Sequence, residues 1–417
     1  MRSNFKIAWR FIVSRKRSMM MSLMGIIFGI GFFVLAQAQT SGFESFFKRT
    51  ILGVNGSIRI TDRLQETLSS IMASSDEQSG VSFVISAREG KQYVEGVDYP
   101  DQLREALEDF PEVTGVSEVL EGRIDVTSGF RAQPARVYGI RLKDHIRVSN
   151  LDDHLIDGQL SNFERDVNSV LIGSLLARRL EAKVGDYVVI RTGQEDRRYQ
   201  IAGVYETGIE DVDKQRIYMQ LGEARSLLYK PFGGAFLQVN IANPDKAPHL
   251  AAHMERLFGH HVVSWQEREQ VWLEVFRALK VSSAITVSTI ILISGLGMFN
   301  TLAMMVMEKN RDIAILRSMG FTRRDIAEIF IFQGGIILAL GTALGSLCGV
   351  LATYGISKIP LHIRGVFSTD RFVVEWSWEH YLYAALIASI VIFLASIIPA
   401  RRAARLEPGS IIRGTSL

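Results

Sequence analysis

The stretch Met19-Met20-Met21-Ser22-Leu23-Met24-Gly25-Ile26-Ile27-Phe28-Gly29-Ile30-Gly31-Phe32-Phe33-Val34-Leu35-Ala36-Gln37-Ala38 decides how the rest of the chain is read. About twenty residues at 1.5 Å rise span about 30 Å, the thickness of a bilayer's hydrocarbon core. Only Ser22 and the terminal Gln37 resist lipid, while the Leu, Ile, Phe and Val residues together contribute about −3 to −5 kcal/mol toward insertion. Three runs of the same character follow, Val281 to Val306, Ile329 to Tyr354 and Tyr381 to Ile398. Between the first and second lies a polar stretch from Thr40 to about Phe276, longer than a typical domain. The expected fold is an α-helical membrane protein with four transmembrane helices and a large α+β domain inserted between helices 1 and 2. The composition of the 417 residues, 47% hydrophobic and 22% charged, averages over these two materials.

Cations set the orientation. Arg2, Lys6, Arg10, Arg15, Lys16 and Arg17 precede the first span without an acid. Lys309, Arg311, Arg317, Arg323 and Arg324 lie between the second and third spans, and Arg401, Arg402, Arg405 and Arg413 follow the fourth. The 355–380 loop carries only Lys358, Arg364 and Arg371. By the positive-inside rule both termini, the 307–328 loop and the 399–417 tail are cytoplasmic, and the 40–276 domain and the 355–380 loop are external. Trp376, Trp378, Tyr381 and Tyr383 then fall at the outer interface. Ala36-Gln37-Ala38 also reads like a signal-peptide cleavage site, but the apolar run exceeds the roughly 7 to 15 residues of a signal peptide, so it is taken as a retained span. Upstream, Phe5, Trp9, Ile12 and Val13 recur at helical spacing beside Lys6, Arg10 and Arg15, which predicts an interfacial helix within 1–18.

Apolar alternation shortens to strand spacing in the external domain. Strands are expected at Ser57 to Thr61, Val81 to Ser86, Val116 to Leu120, Tyr187 to Arg191, Tyr199 to Tyr205, Ile217 to Gln220, Phe236 to Ile241 and His261 to Ser264. Helices are expected at Asp101 to Phe110, Glu223 to Tyr229 and Asp245 to Phe258, and Val170 to Leu180 reads as a strand running into a helix. Two helix-then-strand units, at about 40–150 and 230–276, suggest one α+β part whose halves pair in space. The intervening 151–229 reads as an inserted β-rich module.

Chemistry is conspicuously missing from the motifs. Gly90-Lys91-Gln92 lacks the spacing of a phosphate-binding loop. His260-His261 are adjacent, and consecutive strand residues point to opposite faces, which is poor geometry for a metal. Glu206, Glu210, Asp211 and Asp213 read as a solvated acidic face. A net charge of +3 gives no case for nucleic acid, and one cysteine, Cys348 inside an apolar run, allows neither an intrachain disulfide nor a thiolate cluster. No catalytic, cofactor-binding or metal-binding residues are assigned.

Two patterns stand out instead. Gly341, Gly345 and Gly349 recur every four residues in the third span and Gly25 and Gly29 do so in the first, which permits close helix approach, either within this chain or to a second subunit. The loop Met307-Glu308-Lys309-Asn310-Arg311-Asp312-Ile313-Ala314-Ile315-Leu316-Arg317-Ser318-Met319-Gly320 predicts a short helix with an apolar face of Ile313, Ile315, Leu316 and Met319, stopped by Gly320. Thr322 and Asp325 can start the next helix. Periodicity alone allows this loop to be either a docking element or a solvated hairpin.

With that loop, the sequence resembles the permeases of the MacB-like superfamily of ABC transporters, and within it the LolC and LolE type of lipoprotein-releasing subunit. The resemblance also rests on Gly42-Phe43-Glu44, Ile51-Leu52-Gly53, Val170-Leu171-Ile172-Gly173, Lys183-Val184-Gly185-Asp186, Phe299-Asn300, Pro399-Ala400-Arg401-Arg402-Ala403-Ala404 and Glu407-Pro408. It implies a periplasmic domain with Porter-like and Sabre-like parts, a bacterial inner-membrane location, and a second permease subunit, like or unlike. It also implies a cytoplasmic ATPase dimer holding ATP and Mg, seated on a coupling segment of Glu308, Lys309, Arg311, Ile313, Ile315, Leu316, Arg317, Met319 and Gly320. Phe43, Phe46, Phe47, Ile51, Leu52, Met298 and Phe299 are the candidate lipid or substrate region. The implied substrate is a lipoprotein passed to a periplasmic carrier. LolC-type subunits hook that carrier with a long proline-bearing loop, whereas the turn from Arg191 to Tyr199 is short and has no proline. A LolE-like partner, a homodimer using another surface, a MacB-like exporter and a mechanotransmission permease therefore stand beside the leading reading.

Overall fold

The computed structural model describes residues 2–14, 16–63, 96–97, 99–193, 195–231, 233–363 and 369–405; the predicted strand at Val81 to Ser86, the Gly90-Lys91 pair and Glu407-Pro408 lie outside them. The chain divides into two compact units, one of Met1–Phe46, Glu274–Leu361 and Asp370–Leu417, the other of Phe47–Leu273 and His362–Thr369.

The first unit is helical. Its elements are α1 (Arg2–Ser14), α2 (Lys16–Asn55) as far as Phe46, α3 (Gln270–Glu308) from Glu274 on, α4 (Asn310–Ser318), α5 (Arg323–Ser357) and α6 (Trp378–Ala404). Four of these, all but α1 and α4, are long and apolar enough to cross a bilayer. The helix begun at Lys16 does not end with its apolar run at Ala38. Residues 39–55 contain no proline and only two glycines, and the helix stops where Gly56 takes a left-handed φ of +66°. α3 likewise begins at Gln270, well before its predicted span.

Glycines set the packing of the bundle. On α5, Gly341, Gly345 and Gly349 lie under Ile26, Ile30 and Val34 of α2, so both ladders step by four residues in the same direction and the two helices run parallel. A Cβ at Gly345 would stand 2.9 Å from Ile30 Cβ, and one at Gly349 would stand 2.9 Å from Val34 Cβ. Gly25 and Gly29 instead meet Ser294 and Ile291 of α3, with the numbers running in opposite senses, so α2 and α3 are antiparallel. These five glycines are thus all occupied by contacts inside the chain. α1 turns Ala8 into the core and leaves Phe5, Trp9 and Val13 exposed at i, i+4 and i+8, an apolar stripe suited to an interface. Ile12 packs against the core, so it leaves the predicted outer face.

The second unit holds one sheet with the strand order β10-β1-β9-β2-β3-β8-β5-β7-β4, with β6 pairing both β2 and β7. The strands are β1 (Ile58–Arg63), β2 (Val113–Ser128), β3 (Arg131–Ile140), β4 (Leu155–Gly158), β5 (Ser169–Gly173), β6 (Tyr187–Arg191), β7 (Asp196–Tyr205), β8 (Arg216–Gln220), β9 (Ala235–Ile241) and β10 (His260–Ser264). Following the ladders β2 to β3, β8, β5, β7, β6 and back to β2 traces a closed six-strand ring. Side chains of period two point into it, among them Ile124, Val137, Ile172, Ile190, Ile201 and Met219. The helices Ser174–Leu180 and Leu221–Leu227 add Leu176, Leu180, Ala224 and Leu227 to the same core.

Two remote segments build a separate core at the other end of the sheet. There Ile58, Ile60, Val116, Leu237, Val239 and Val262 pack with the helices Pro100–Glu108 and Ala247–Phe258. The expected pairing of chain-distant halves is seen in β1 against β9 and β10. The expected boundary at 151 moves, however, because β2 serves both cores from one face: Val116 belongs to the α+β core, and Leu120, Ile124 and Val126 to the core of the ring. The β-rich module is therefore not a simple 151–229 insertion. It is closed by the outer halves of a hairpin that begins in the α+β part.

Candidate coupling surface and outer collar

At the helix hairpin between α3 and α5, charged residues and Gly320 cut an otherwise apolar stretch into a short helix. Gly320 has φ +100°, the left-handed stop that the sequence demands. α5 then starts on a capping box, in which Thr322 Oγ1 accepts from the Asp325 N–H at 3.2 Å and Asp325 accepts from the Thr322 N–H at 2.8 Å. From the first helix, Asn4 donates to Glu328 at 3.0 Å. Lys309 pairs with Asp312 at 2.8 Å and lies over the Phe11 ring, and Arg317 donates to the carbonyl of Ala404 at 3.4 Å.

This framing divides the predicted apolar face. Ile313, 1% exposed, and Leu316 turn into the bundle core together with Ala314. Ile315 and Met319, at 48% and 72% exposed, point away from it beside the exposed Glu308, Arg311 and Gly320. Ile313 and Leu316 are thus corrected from docking residues to anchoring ones. A bent-back helix packed on its own span ends must bury one apolar side, and only the opposite side is free.

A second convergence of polar groups lies near the far end of α2 within the same unit. The segment Phe372 to Ser377 crosses α2 at Gly42, where a Cβ would stand 2.6 Å from both the Val373 carbonyl oxygen and Val374 Cα. The Glu375 N–H donates to the Ala38 carbonyl at 3.0 Å, and Ser45 donates to the Glu375 carboxylate at 2.7 Å. Phe43 meets Phe372 edge to face with centroids 5.8 Å apart, and Glu44 pairs with Lys280 of α3 at 2.5 Å. Ser41 and His380 are within hydrogen-bond distance at 3.2 Å. The signature Gly42-Phe43-Glu44 thus has a physical meaning: the glycine admits the strap, the ring seats it, and the carboxylate ties α2 to α3. Lys280, Glu375 and His380 escaped the sequence reading because their partners are more than two hundred residues away.

The predicted lipid region is not one surface. Met298 lies fully inside the helical core, Phe47 and Ile51 are buried in the second unit with Phe47 against Trp272, and Leu52 packs on the α+β core. Phe43, Phe46 and Phe299 are half-buried. The apolar side chains that α2 leaves exposed are Met20, Met21, Met24, Phe28 and Phe32.

In the external unit, the predicted acidic face is corrected at Asp213. It is buried and accepts from the Thr207 N–H and hydroxyl, each at 2.8 Å, and from the Gly208 N–H at 3.2 Å, bracing the loop after β7. Burial raises its pKa, and the Thr207 bonds oppose that shift. His260 is buried and His261 exposed on opposite faces of β10, and no group of metal-ligating side chains occurs among the described residues. The turn between β6 and β7 is a short hairpin closed by Arg191 and Asp196 at 3.1 Å.

Comparison with known proteins agrees with this architecture. Residues 19–257 match the MacB-like periplasmic core domain, and residues 284–408 match the FtsX-like permease C-terminal family. The chain is 24% identical over 437 residues to the lipoprotein-releasing system transmembrane protein LolC of Xylella fastidiosa, covering 98% of each. It is 22% identical over 445 residues to LolE of Haemophilus influenzae, covering 99% of each. The macrolide export ATP-binding/permease protein MacB of Pasteurella multocida is 26% identical over 302 residues, 67% of this chain and 43% of that one. A four-helix bundle with a paired helix hairpin, a large domain between its first two spans and these matched segments make the chain a member of the MacB-like family of ABC transporter permeases.

Proposed function

We propose that the chain is the transmembrane permease subunit of an ATP-driven lipoprotein-releasing complex of the inner membrane, with both termini cytoplasmic. The observation that carries this reading is the end-to-end similarity to two lipoprotein-releasing permeases, LolC and LolE, over nearly the whole of each chain. The chain's share in catalysis is mechanical: a separate ATPase dimer binds ATP and Mg and pushes on Ile315 and Met319 from below. α4 is continuous in sequence with α3, and the Glu44 to Lys280 pair joins α3 to α2 near the opposite end of the bundle.

The physical task suits such a machine. At about 0.8 kcal/mol per methylene, two or three acyl chains leaving a bilayer represent about 30 kcal/mol, so the lipid must move from one apolar shelter to another. The receiving shelter is a periplasmic carrier. The short β6 to β7 turn leaves carrier docking to another surface or another subunit. The MacB match supports a second reading, export of a different periplasmic substrate, and a mechanotransmission role is a third. Purified complex in lipid distinguishes them: ATPase activity that rises with triacylated lipoprotein supports the proposal. Indifference to lipoprotein with stimulation by a small hydrophobic drug supports the exporter, and copurification of a cell-wall hydrolase supports mechanotransmission.

A further inference from the structure

Arg216 opens β8, and its side chain lies on the side of that strand turned away from the ring core, which Ile217 and Met219 fill. It is buried. Its guanidinium carbon stands 4.1 Å from the centre of the Tyr138 ring, and one terminal nitrogen donates to the Tyr218 hydroxyl at 3.1 Å. The Tyr205 hydroxyl donates to the Arg216 carbonyl at 2.7 Å, so three tyrosines fix the residue from the ring side. Among the described residues no carboxylate pairs with it. The other terminal nitrogen leaves this cage and donates to Asn55 Oδ1 at 3.2 Å, on the last residue of α2. Next to it Arg268, itself paired with Glu269, donates to the Gly56 carbonyl at 3.4 Å, and the Asn150 N–H donates to the Gly53 carbonyl at 2.7 Å. The C-terminal end of a helix carries about half a negative charge, so the end of α2 stands in for the missing carboxylate.

We propose that Arg216 is a positioning residue: its bond to Asn55 fixes the six-strand ring to the end of α2, and a displacement of α2 reaches the ring through it. Stability alone gives no reason for the residue, because an apolar side chain of similar volume avoids the cost of a buried charge. What the guanidinium adds is register. It is held in place by its own module before it meets α2, so little rotamer freedom is lost when the bond forms, and its fork accepts only one approach of the partner oxygen. An apolar contact at the same place would let the helix end slide. α2 runs unbroken from Lys16 to Asn55, so its far end follows any shift or rotation of the rest.

This inference rests on the permease reading for the transport step, but the joint itself is measured without substrate, so the two can fail separately. Cys348 is the chain's one cysteine, and Cys348→Ala provides a background for spin labels at Arg49→Cys, exposed on α2, and Phe130→Cys, exposed at the tip of the β2 to β3 hairpin. In the full complex in nanodiscs one narrow distance distribution between them is expected, with and without ATP. Asn55→Leu and Arg216→Met are each expected to broaden it, and the two together no more than either alone, since both remove the same bond. Asn55→Asp, which offers the guanidinium a carboxylate, is expected to keep it narrow. In proteoliposomes the two disruptive variants are expected to hydrolyse ATP as before but to release about tenfold less lipoprotein per ATP, the loss that a single hydrogen bond to a charged group supports. A distribution that stays narrow in both variants overturns the proposal whatever the substrate, and so does a broadened one with undiminished release per ATP. A lower melting temperature with a parallel loss of ATP hydrolysis marks a merely structural role and overturns it as well. Wild-type complex that shows the narrow distribution yet releases no lipoprotein refutes the lipoprotein reading and leaves the joint standing.

Discussion

Replacing Ile315 and Met319 together by Glu is expected to separate the ATPase from the permease without unfolding the bundle. These side chains are 48% and 72% exposed on the side of α4 turned away from the bundle, so about half and three-quarters of their surfaces remain to be covered. Full burial of such a side chain contributes about 1.5–3 kcal/mol, which scales to about 2–4 kcal/mol for the two. At about 1.4 kcal/mol per decade that is roughly a 30- to 1,000-fold loss of ATPase affinity, before the added cost of dehydrating two carboxylates. The assay is copurification of the ATPase with tagged permease, followed by titration of the purified ATPase onto permease in nanodiscs. The inward residues supply the contrast: Ile313→Ala removes a core contact and should lower stability by about 2–5 kcal/mol. If the Ile315→Glu, Met319→Glu protein retains its ATPase at wild-type affinity, the exposed side of α4 is not the docking surface.

Three further outcomes follow from the packing and the buried charges. Gly345→Ala drives a Cβ to 2.9 Å from Ile30 and should cost about 1–3 kcal/mol, seen as a lower melting temperature in lipid, whereas Gly335→Ala meets open space and should be neutral or slightly stabilising. Gly42→Ala collides with the strap backbone at Val373 and Val374 and should open the collar, measured as faster hydrogen exchange at Glu375, with no change expected at α4. His145 is buried against Ser117 and Tyr218, and burial first, then the Arg216 charge, push its pKa down to about 3. A depressed pKa means the unfolded chain takes up the proton first, so the external unit is expected to hold full stability above about pH 6.5. It then loses on the order of 1 kcal/mol per unit as pH falls toward 3. His145→Gln should flatten that slope in thermal unfolding between pH 7 and 5; an unchanged slope would contradict the assignment.

The membrane architecture was legible because lipid leaves a one-dimensional record. Twenty apolar residues in a row and a glycine every fourth position each follow from local chemistry, and the helices lie where the apolar runs put them; the glycine spacing alone did not say that the glycines of α5 meet α2 rather than a second subunit. Short β-branched or partly alternating apolar runs, such as β6 and β9, were equally readable. β3 was not, because Arg131 and Pro134 break the pattern; the proline is tolerated where β3 extends beyond its ladder with β8, which begins at Arg136. Ring closure through β6 could not be read at all, since the partners of β2 at that end are set by tertiary pairing. For α4 the composition was plain and the direction was not. Ile313, Ile315, Leu316 and Met319 look alike in one dimension, and which of them faces a partner depends on how the hairpin folds back onto its spans.

The measurement closest to the central claim is release of a triacylated lipoprotein from proteoliposomes that contain this permease with its ATPase, in the presence of an apolar acceptor protein. The account predicts release that requires ATP, fails with the Ile315→Glu, Met319→Glu permease and leaves unacylated protein untouched. ATP hydrolysis by an intact complex that leaves every lipoprotein in the membrane would contradict it.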